Sequence, residues 1–377
     1  MKNIIAIVLF VCVAFTSCTN KISTYQTQFI FNDAQTILEG KGDRVIFNSF
    51  MQLLNQTPVG ADVYISIYMF DDVELAHAIN NAKHRGVNVH IQVDQSRESS
   101  LECNQEVISI LNKEFSDFTV LNNATKSSIN HNKFALFSEI SKDGHNYQNI
   151  VFQTSSNFMD ESTYKFQDAQ VFQSEILYGA YRDYFKKINA FSKSGSMLDF
   201  EYYTATDSAL NLSVQFYPKR SKGKNHKGDC LIDIMDQIDL DNEGELLVNM
   251  SAWTGTRKSI FSKLKEIAAS DIELTVITKS SNSKVVLEQL ALVEQAGANV
   301  IILDYYGTPK QNTHMKVLTF KGAINNKPAC FVVSGTHNIT NNALRYNNET
   351  LLYFTDAMVY DIYNKFHTDL LKNYHNL

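Results

Sequence analysis

The run N-H-N-K-F-A-L-F-S, residues 130–138, is matched further along the chain by T-H-M-K-V-L-T-F-K, residues 313–321. Each run contains the triplet His-x-Lys, as His131-Asn132-Lys133 and His314-Met315-Lys316. In a β-strand the side chains at positions i and i+2 project from one face, so each triplet is expected to present an imidazole beside an ammonium group. The apolar residues that follow suit a buried strand. The sequence therefore predicts a polar pair at the start of a core strand in two places.

A turn of small residues follows each of these predicted strands. In both cases a second apolar strand lies between the motif strand and the turn. The turn ends in asparagine, as Q-T-S-S-N at 153–157 and V-S-G-T-H-N at 333–338. A carboxylate lies beyond each turn. The residues that recur in this order are Asn157 followed by Asp168, and Asn338 followed by Glu349. We interpret them as two copies of one set of site residues.

A longer internal duplication supports this interpretation. Four residues of one segment correspond to four of a later segment at a constant offset of 185: Tyr68, Leu75, Ile79 and Val87 match Trp253, Ile260, Leu264 and Ile272. The two histidines are 183 positions apart, which is nearly the same shift. The chain is therefore expected to contain two copies of one strand–helix–strand unit, and each copy supplies half of a site.

With these motifs the chain resembles the phospholipase D superfamily, whose members carry H-x-K-x-x-x-x-D twice. The resemblance covers nearly all of the chain beyond residues 1–18, including the segments 61–94, 214–218 and 335–351, and is closest to secreted bacterial members. It implies an α/β fold of two pseudo-symmetric halves, each a mixed sheet flanked by helices, with the active site at their interface. We expect the halves at 24–205 and 206–377. The chain departs from the pattern at both motif acids, since Ser138 and Lys321 stand where aspartate is expected.

The resemblance also implies roles for the repeated residues. His131 is expected to be the nucleophile and His314 the general acid. The phosphoryl oxygens would be held by Lys133, Lys316, Asn157 and Asn338. Asp168 and Glu349 would orient the two imidazoles, as the acid of a hydrolytic triad orients its histidine. Such a site supplies a nucleophile, a proton and oxygen-binding groups without a metal or other cofactor.

Four further residues are candidates for substrate binding. Ser155, Ser156 and Thr336 lie in the two turns, where they either shape the backbone or donate hydrogen bonds to substrate. Tyr305 lies shortly before the second triplet and is expected to line the rim of the pocket, although a purely structural turn explains it equally well.

The first 18 residues resemble a secretory signal of lipoprotein type, with one lysine, an apolar run and small residues before Cys18. Cleavage before Cys18 and lipid attachment there would place the protein outside the cytoplasm, anchored to the cell envelope. A plain signal peptide, which would leave the protein secreted, and an uncleaved anchor are the alternatives. The three later cysteines allow at most one disulfide and show no zinc-binding spacing.

The formal net charge of −6 argues against a general nucleic-acid-binding surface. One basic stretch, at 219–227, is either a solvated loop or a contact for anionic lipid or nucleic-acid phosphates. We expect a monomeric phosphodiesterase of phospholipase D type that acts on phospholipid headgroups at a membrane surface, by hydrolysis or by transfer to another alcohol. A nuclease with the same two-histidine chemistry and a non-catalytic phosphate-binding lipoprotein are the alternatives.

Overall fold

The computed structural model describes residues 25–112, 119–121, 128–194, 200–221 and 224–375. The predicted leader and Cys18 lie outside these residues. The described chain forms two mixed β-sheets, one of seven strands and one of eight, with helices packed on their faces. The predicted α/β class with two similar halves is confirmed.

The first half contains strands β1 to β7 and helices α1 to α5. The strands are β1 (Gln28–Phe31), β2 (Asp62–Ile67), β3 (Asn88–Asp94), β4 (Thr119–Leu121), β5 (Lys133–Lys142), β6 (His145–Thr154) and β7 (Asp168–Gln173). The helices are α1 (Ala34–Leu38), α2 (Val45–Gln56), α3 (Val73–His84), α4 (Glu98–Asn112) and α5 (Glu175–Ser194). A short 3₁₀ helix, Asp160–Tyr164, precedes β7.

The second half repeats this order. Its strands are β8 (Tyr203–Asp207), β9 (Leu212–Phe216), β10 (Arg220–Ser221), β11 (Lys224–Asn225), β12 (Gly244–Met250), β13 (Ile272–Lys279), β14 (Asn299–Leu303), β15 (Lys316–Ile324), β16 (Lys327–Gly335) and β17 (Thr350–Phe354). Its helices are α6 (Cys230–Met235), α7 (Lys258–Ala268), α8 (Lys284–Gln295), α9 (Asn341–Arg345) and α10 (Ala357–His375). Strand β8 spans the boundary that we expect between 205 and 206, and it pairs with β9 in the second sheet.

The two sheets have the same strand order over seven strands. The first is ordered β1-β7-β6-β5-β2-β3-β4, and the second is ordered β8-β9-β17-β16-β15-β12-β13-β14. In each sheet the last three strands are parallel to one another and the others are antiparallel. The triplet lysines occupy matching registers, with Lys133 opposite Ile67 and Lys316 opposite Met250. Both lysines thus start the central strand of their sheet at the same edge.

Amphipathic helices cover the outer faces of the sheets. The buried residues of α7 are Ile260, Phe261, Leu264 and Ile267, which recur at the spacing of one helix face. Asp72 caps α3 by accepting a hydrogen bond from the Leu75 backbone N–H. These helices are equivalent at the offset of 185. The equivalence does not hold at Tyr68. Phe70 forms a β-bridge with Phe158 in the turn after β6, and Trp253 forms the equivalent bridge with Ile339 in the turn after β16. Trp253 therefore corresponds to Phe70 and not to Tyr68.

Three apolar cores hold the layers together. One lies between the first sheet and α2, α3 and α4, and another between the second sheet and α6, α7 and α8. The third lies between the two sheets and contains buried residues of α5 and α10. Strands β5 and β15 are covered on both faces, which explains why their sequences are almost continuously apolar. The two halves therefore share one buried interface.

Three smaller predictions concern single segments. Cys103, Cys230 and Cys330 are all free thiols. In the stretch at 219–227, Lys219 is buried and pairs with Asp233 at 3.1 Å, so its first lysine serves the fold rather than an external anion. Within the described residues, no helix is both long enough and apolar enough to cross a bilayer.

Candidate active site

The two triplets lie at the same edge of the two sheets. Each histidine precedes its strand, whereas Lys133 and Lys316 are the first residues of β5 and β15. Both lysines are buried and turn back, so that Nζ donates to the carbonyl oxygen of its own histidine, at 2.7 Å for His131 and 2.5 Å for His314. The expected arrangement of imidazole and ammonium side by side on one strand face is therefore wrong in detail, because the histidine stands outside the strand.

Backbone hydrogen bonds fasten each triplet to the opposite half. The His131 N–H donates to the Asn348 carbonyl, and the His314 N–H donates to the Phe166 carbonyl, both at 2.9 Å. Asn348 and Phe166 return the contact through their own N–H groups to Ile129 and Asn312. The predicted site between the two halves is thus built by reciprocal backbone pairing, which fixes both histidines relative to both sheets.

His131 is paired with a carboxylate of the other half. Its Nδ1 lies 2.7 Å from Glu349 Oε2, and Glu349 Oε1 accepts a further bond of 3.0 Å from the Asn347 amide. Because a carboxylate can only accept, Nδ1 is the protonated nitrogen and Nε2 carries the free lone pair. Burial lowers the pKa of His131 to about 4, against the opposing effect of Glu349. Burial therefore favours the neutral ring, whose Nε2 is available for attack.

His314 has a neutral partner instead. Its Nδ1 lies 2.8 Å from the Ser155 carbonyl oxygen, which also makes Nδ1 the donor. Burial lowers the pKa of His314 well below its ordinary value, and the nearby positive charges of Lys316 and Lys165 lower it further. No carboxylate in the described part of the chain lies within 4 Å of this imidazole. The two histidines thus stand in different electrostatic surroundings despite the repeat.

The expectation that Asp168 orients a histidine differs from the structure. The Asp168 carboxylate is buried and accepts hydrogen bonds from Gln170 at 2.8 Å, from the Tyr363 hydroxyl at 2.7 Å and from the Ser334 hydroxyl. Ser334 and Tyr363 belong to the second half. Asp168 therefore locks the two halves together from a position behind the turn, and it does not contact His314.

The register of the two turns explains this difference. The Ser155 N–H donates to the Asp168 carbonyl at 3.0 Å, and the equivalent Thr336 N–H donates to the Thr350 carbonyl at 2.9 Å. Asp168 is thus the counterpart of Thr350 and not of Glu349. A shift of one residue in an extended segment turns the side chain to the opposite face, which places the Asp168 carboxylate away from the cleft.

The counterpart of Glu349 is Gln167. The carbonyl of Gln167 accepts from the Asn32 N–H at 3.3 Å, and the carbonyl of Glu349 accepts from the Tyr217 N–H at 3.0 Å in the same way. Gln167 is buried, and its amide nitrogen donates to the Ser162 carbonyl. Of the two motif histidines, His131 is therefore paired with a carboxylate, whereas the position that corresponds to Glu349 on the His314 side holds the neutral amide of Gln167.

This asymmetry gives a prediction for the variant Gln167→Glu. A carboxylate at this position would favour the charged form of His314 and raise its pKa. If His314 must be protonated to act, its charged form is lost as pH rises through that pKa, so the fall in rate on the alkaline side should move to higher pH. The pH–rate profile measures this. The neutral variant Gln167→Met is the control, and an equal displacement in both variants would show that charge is not the cause.

The turn residues divide into two groups. Asn157 and Asn338 each have a buried Oδ1 without a hydrogen-bond partner in the described part of the structure. Since a half-turn of the amide exchanges its oxygen and its nitrogen, each can present a donor to a phosphoryl oxygen. The hydroxyls are engaged within the turns: Ser155 Oγ accepts from the Asp168 N–H at 3.0 Å, Ser156 Oγ donates to the Asn157 carbonyl at 2.8 Å, and Thr336 Oγ1 accepts from the Thr350 N–H at 3.0 Å. These contacts favour the structural interpretation of the three hydroxyls.

The two motif lysines are buried, and burial disfavours their charged forms. Burial lowers the pKa of Lys133 to about 7, although Glu349 and Asp94 raise it. Burial, followed by the charges of Lys133 and Lys279, lowers the pKa of Lys316 well below its ordinary value. An anion bound between the lysines would offset their mutual repulsion and favour the charged forms. The cleft is therefore suited to a phosphoryl group.

Two aromatic groups belong to the site in addition to the predicted residues. The Tyr68 ring lies 5.3 Å from the His131 ring, between centroids, and 5.5 Å from Lys133 Nζ. His337 is buried against Tyr217, with ring centroids 4.5 Å apart, and burial lowers its pKa well below the ordinary value. Tyr68 could have been identified from its place in the sequence, because it directly follows β2, the strand beside β5. His337 was visible only as part of the turn.

The motif positions that lack aspartate lie further along the two strands. Ser138 Oγ accepts a hydrogen bond from the Asp62 N–H at 2.8 Å, across from β5 to β2. The Lys321 Nζ lies 5.3 Å from the centre of the Tyr360 ring. Both residues make structural contacts with neighbouring elements. In the described residues, no group of three or more His, Cys, Asp or Glu is arranged to hold a metal ion.

The sequence matches the family model described as "Cardiolipin synthase, PLD-like domain" over residues 50–189 and 239–370. These two segments contain both triplets, both asparagines, Gln167 and Glu349. No curated protein sequence is significantly similar to the chain.

Solved structures share the fold at low sequence identity. The chain is similar to phosphatidylserine synthase from Haemophilus influenzae, with 11% identity and a TM-score of 0.59, over 92% of this chain and 87% of that one. It is also similar to polyphosphate kinase from Porphyromonas gingivalis, with 13% identity and a TM-score of 0.57, over 92% of this chain. The chain spans 50% of the length of that kinase. Nuc, a phospholipase D family member from Salmonella typhimurium, aligns with 16% identity and a TM-score of 0.34, over 44% of this chain and 95% of its own.

Proposed function

The chain belongs to the phospholipase D superfamily, and we propose that it is a phosphodiesterase that cleaves or transfers phospholipid headgroups through a covalent phosphohistidine. The observation that carries the proposal is the pairing of His131 Nδ1 with Glu349 across the two halves, at 2.7 Å. It leaves Nε2 of a neutral imidazole free to attack phosphorus. The two histidines, the two lysines and the two asparagines occupy equivalent positions in the two halves.

The first step forms a P–N bond and breaks a P–O bond. His131 Nε2 attacks the phosphorus, and the leaving alkoxide takes the proton from Nε2 of the charged His314. Lys133 and Lys316 offset the charge on the phosphoryl oxygens. In the second step, water or another alcohol gives its proton to His314 and attacks the phosphorus. The P–N bond then breaks, and its electron pair returns to His131.

The unequal partners of the two histidines support His131 as the nucleophile. Phosphorylation of Nε2 makes the ring cationic, and the Glu349 carboxylate stabilises that cation directly. His314 has only the Ser155 carbonyl and lies near several lysines, so its charged form is a stronger acid. A phosphate anion in the cleft raises the pKa of His314 and so favours its charged form, which donates the proton that the leaving group needs.

The proposed substrate and location rest on the sequence. A leader that ends at Cys18 would anchor the protein outside the cytoplasm, at a membrane surface where phospholipids are accessible. The net charge of −6 favours lipid over nucleic acid. The complete set of histidines, lysines and asparagines favours a catalytic protein over a non-catalytic one. Labelling with a radioactive fatty acid should modify the wild-type protein and not the variant Cys18→Ala, if the anchor is present.

One comparison tests the proposed reaction. Phosphatidylcholine vesicles labelled in the headgroup and labelled single-stranded DNA are incubated with the enzyme in parallel, with chelator present. We expect release of the headgroup and a much slower reaction with DNA. Faster cleavage of DNA would replace the lipid proposal with a nuclease. No reaction with either substrate would favour the non-catalytic alternative.

A further inference from the structure

Three lysines lie on the His314 side of the cleft, in addition to the motif lysines. We call Lys165, Lys279 and Lys310 the lysine cluster. Lys165 directly precedes Phe166, whose carbonyl binds the His314 N–H. Lys279 ends β13, which is adjacent to β12, the strand that pairs with β15 and its Lys316. The cluster therefore combines residues from both halves at the edge where the triplets meet.

The cluster has less negative charge than positive charge. Glu161 pairs with Lys165 at 3.4 Å and with Lys310 at 3.0 Å, so one carboxylate serves two ammonium groups. Lys279 has no carboxylate within 4 Å in the described residues, and its Nζ lies 5.5 Å from the centre of the Tyr305 ring. Tyr305 also contacts Lys310, whose Nζ lies 3.9 Å from the centre of the ring. Tyr305 thus contacts two of the three lysines of the cluster.

The three lysines differ in burial, since Lys165 is buried, Lys279 is half-buried and the Lys310 side chain is 41% exposed. Lys165 is 9% exposed. Burial lowers the pKa of Lys279 to about 8, and the positive charge of Lys165 lowers it further. Burial is likewise the main cause that lowers the pKa of Lys165. Placing ammonium groups under a surface without matching carboxylates is costly unless an anion joins them.

The corresponding positions of the first half carry opposite or neutral side chains. Lys279 ends β13 at the position where Asp94 ends β3. Lys165, two residues before Gln167, corresponds to Asn347, two residues before Glu349. The His131 side of the cleft therefore contains Asp94 and Glu349, whereas the His314 side contains the cluster. This polarity is not a product of the duplication, because the duplication alone would give both sides the same charge.

We propose that the lysine cluster binds a second phosphate, attached to the leaving group of the substrate. The proposal rests on the proposed function, in which His314 protonates the leaving oxygen. The group that departs must lie beside His314, and the positive charges of Lys165 and Lys279 are near enough to lower the pKa of that histidine. With a neutral headgroup, the three lysines would have only the Glu161 carboxylate as an ion-pair partner among the described residues, whereas a phosphate monoester or a phosphoanhydride would supply further negative charge.

The substrate class is thus a phosphodiester or a phosphoanhydride that carries an additional phosphate on its departing side. The chemistry is the same as in the two steps above: the oxygen that leaves phosphorus takes the His314 proton, and the second phosphate remains bound to the cluster. The compound is either a membrane lipid or a soluble compound, and the charges of the cluster recognise both. The experiment must therefore separate the two sources.

Binding of inorganic pyrophosphate and of inorganic phosphate, measured by calorimetry, tests the proposal without turnover. We expect pyrophosphate to bind the wild-type protein at least about tenfold more tightly than phosphate, since one charge-assisted contact contributes about that factor. Lys279→Met should remove most of this preference, and Lys279→Arg should retain part of it. The matched control is Lys284→Met, because Lys284 is 88% exposed on α8 and pairs only with Glu288 among the described residues.

Several outcomes decide the proposal. Equal binding of the two anions by the wild-type protein, or the same preference in Lys279→Met, would overturn it. A preference that depends on Lys279 in a protein without phosphodiesterase activity would support the phosphate site and contradict the proposed function. The source is identified by turnover of phosphatidylcholine vesicles that contain diacylglycerol pyrophosphate, compared with a soluble nucleoside diphosphate ester. Faster turnover of either compound than of phosphatidylcholine supports the second-phosphate site and identifies the compound that carries the phosphate. Faster turnover of phosphatidylcholine than of both compounds overturns the proposal.

Discussion

Replacement of either His131 or His314 by alanine is expected to lower the rate of phosphodiester cleavage by about 10²-fold or more, because each variant lacks one half of a cooperative pair. Both imidazoles lie in the cleft between the sheets and make one side-chain hydrogen bond each in the described structure. Steady-state kinetics on the labelled vesicles measures the rates.

Folding must be separated from chemistry in these variants. Circular dichroism during thermal unfolding should show that both retain the cooperative transition of the wild-type protein. His145→Ala is the matched control, since His145 is exposed at the start of β6. Substantial turnover by either cleft variant would remove that histidine from the mechanism, and loss of activity in the control would show that the assay does not report on the cleft.

The variant Glu349→Gln should lower the rate by about 10²-fold, because the carboxylate stabilises the cationic ring that forms on phosphorylation of His131. The amide keeps the size of the side chain and loses the charge. Binding of inorganic phosphate should change less than the rate, since Glu349 contacts the histidine rather than the substrate. Kinetics and calorimetry on the same preparation measure the two effects.

Asp168→Asn is the informative comparison for Glu349→Gln. Asp168 accepts bonds from Ser334 and Tyr363 of the other half, so its replacement should lower the free energy of unfolding by about 1–3 kcal/mol and leave the rate of cleavage nearly unchanged. A large fall in rate without loss of stability would instead support the sequence-based role of Asp168 as the residue that orients a histidine.

The sequence predicted the duplication, the α/β class and the interface site because the strands and helices repeat their apolar patterns at nearly constant offsets. The role that the sequence suggested for Asp168, orienting a histidine, differs from the structure for a physical reason. Asp168 follows Asn157 by eleven residues, and Glu349 follows Asn338 by eleven. The intervening segments differ in conformation, with a 3₁₀ helix in the first half and the α-helix α9 in the second. Equal spacing along the chain therefore gave unequal registers in space.

The lysine cluster could not be predicted from spacing at all. Lys165, Lys279 and Lys310 come from three separate segments, and each alone resembles an ordinary surface lysine. Only the packing of the two sheets brings them beside His314. Similarly, the backward turn of Lys133 onto the His131 carbonyl depends on where β5 begins. A strand pattern does not define that boundary to within two residues.

The most direct test of the account is to identify the residue that carries the covalent intermediate. The variant His314→Ala slows release of the intermediate and is mixed with substrate labelled at phosphorus, in excess chelator. We expect an acid-labile, base-stable label on the protein, and peptide mapping should locate it on His131. The two roles would be reversed if the variant His314→Ala carried no label on His131 and the reciprocal variant His131→Ala carried label on His314. Absence of any histidine-bound label together with full dependence of turnover on added Mg²⁺ or Zn²⁺ would contradict the two-histidine mechanism.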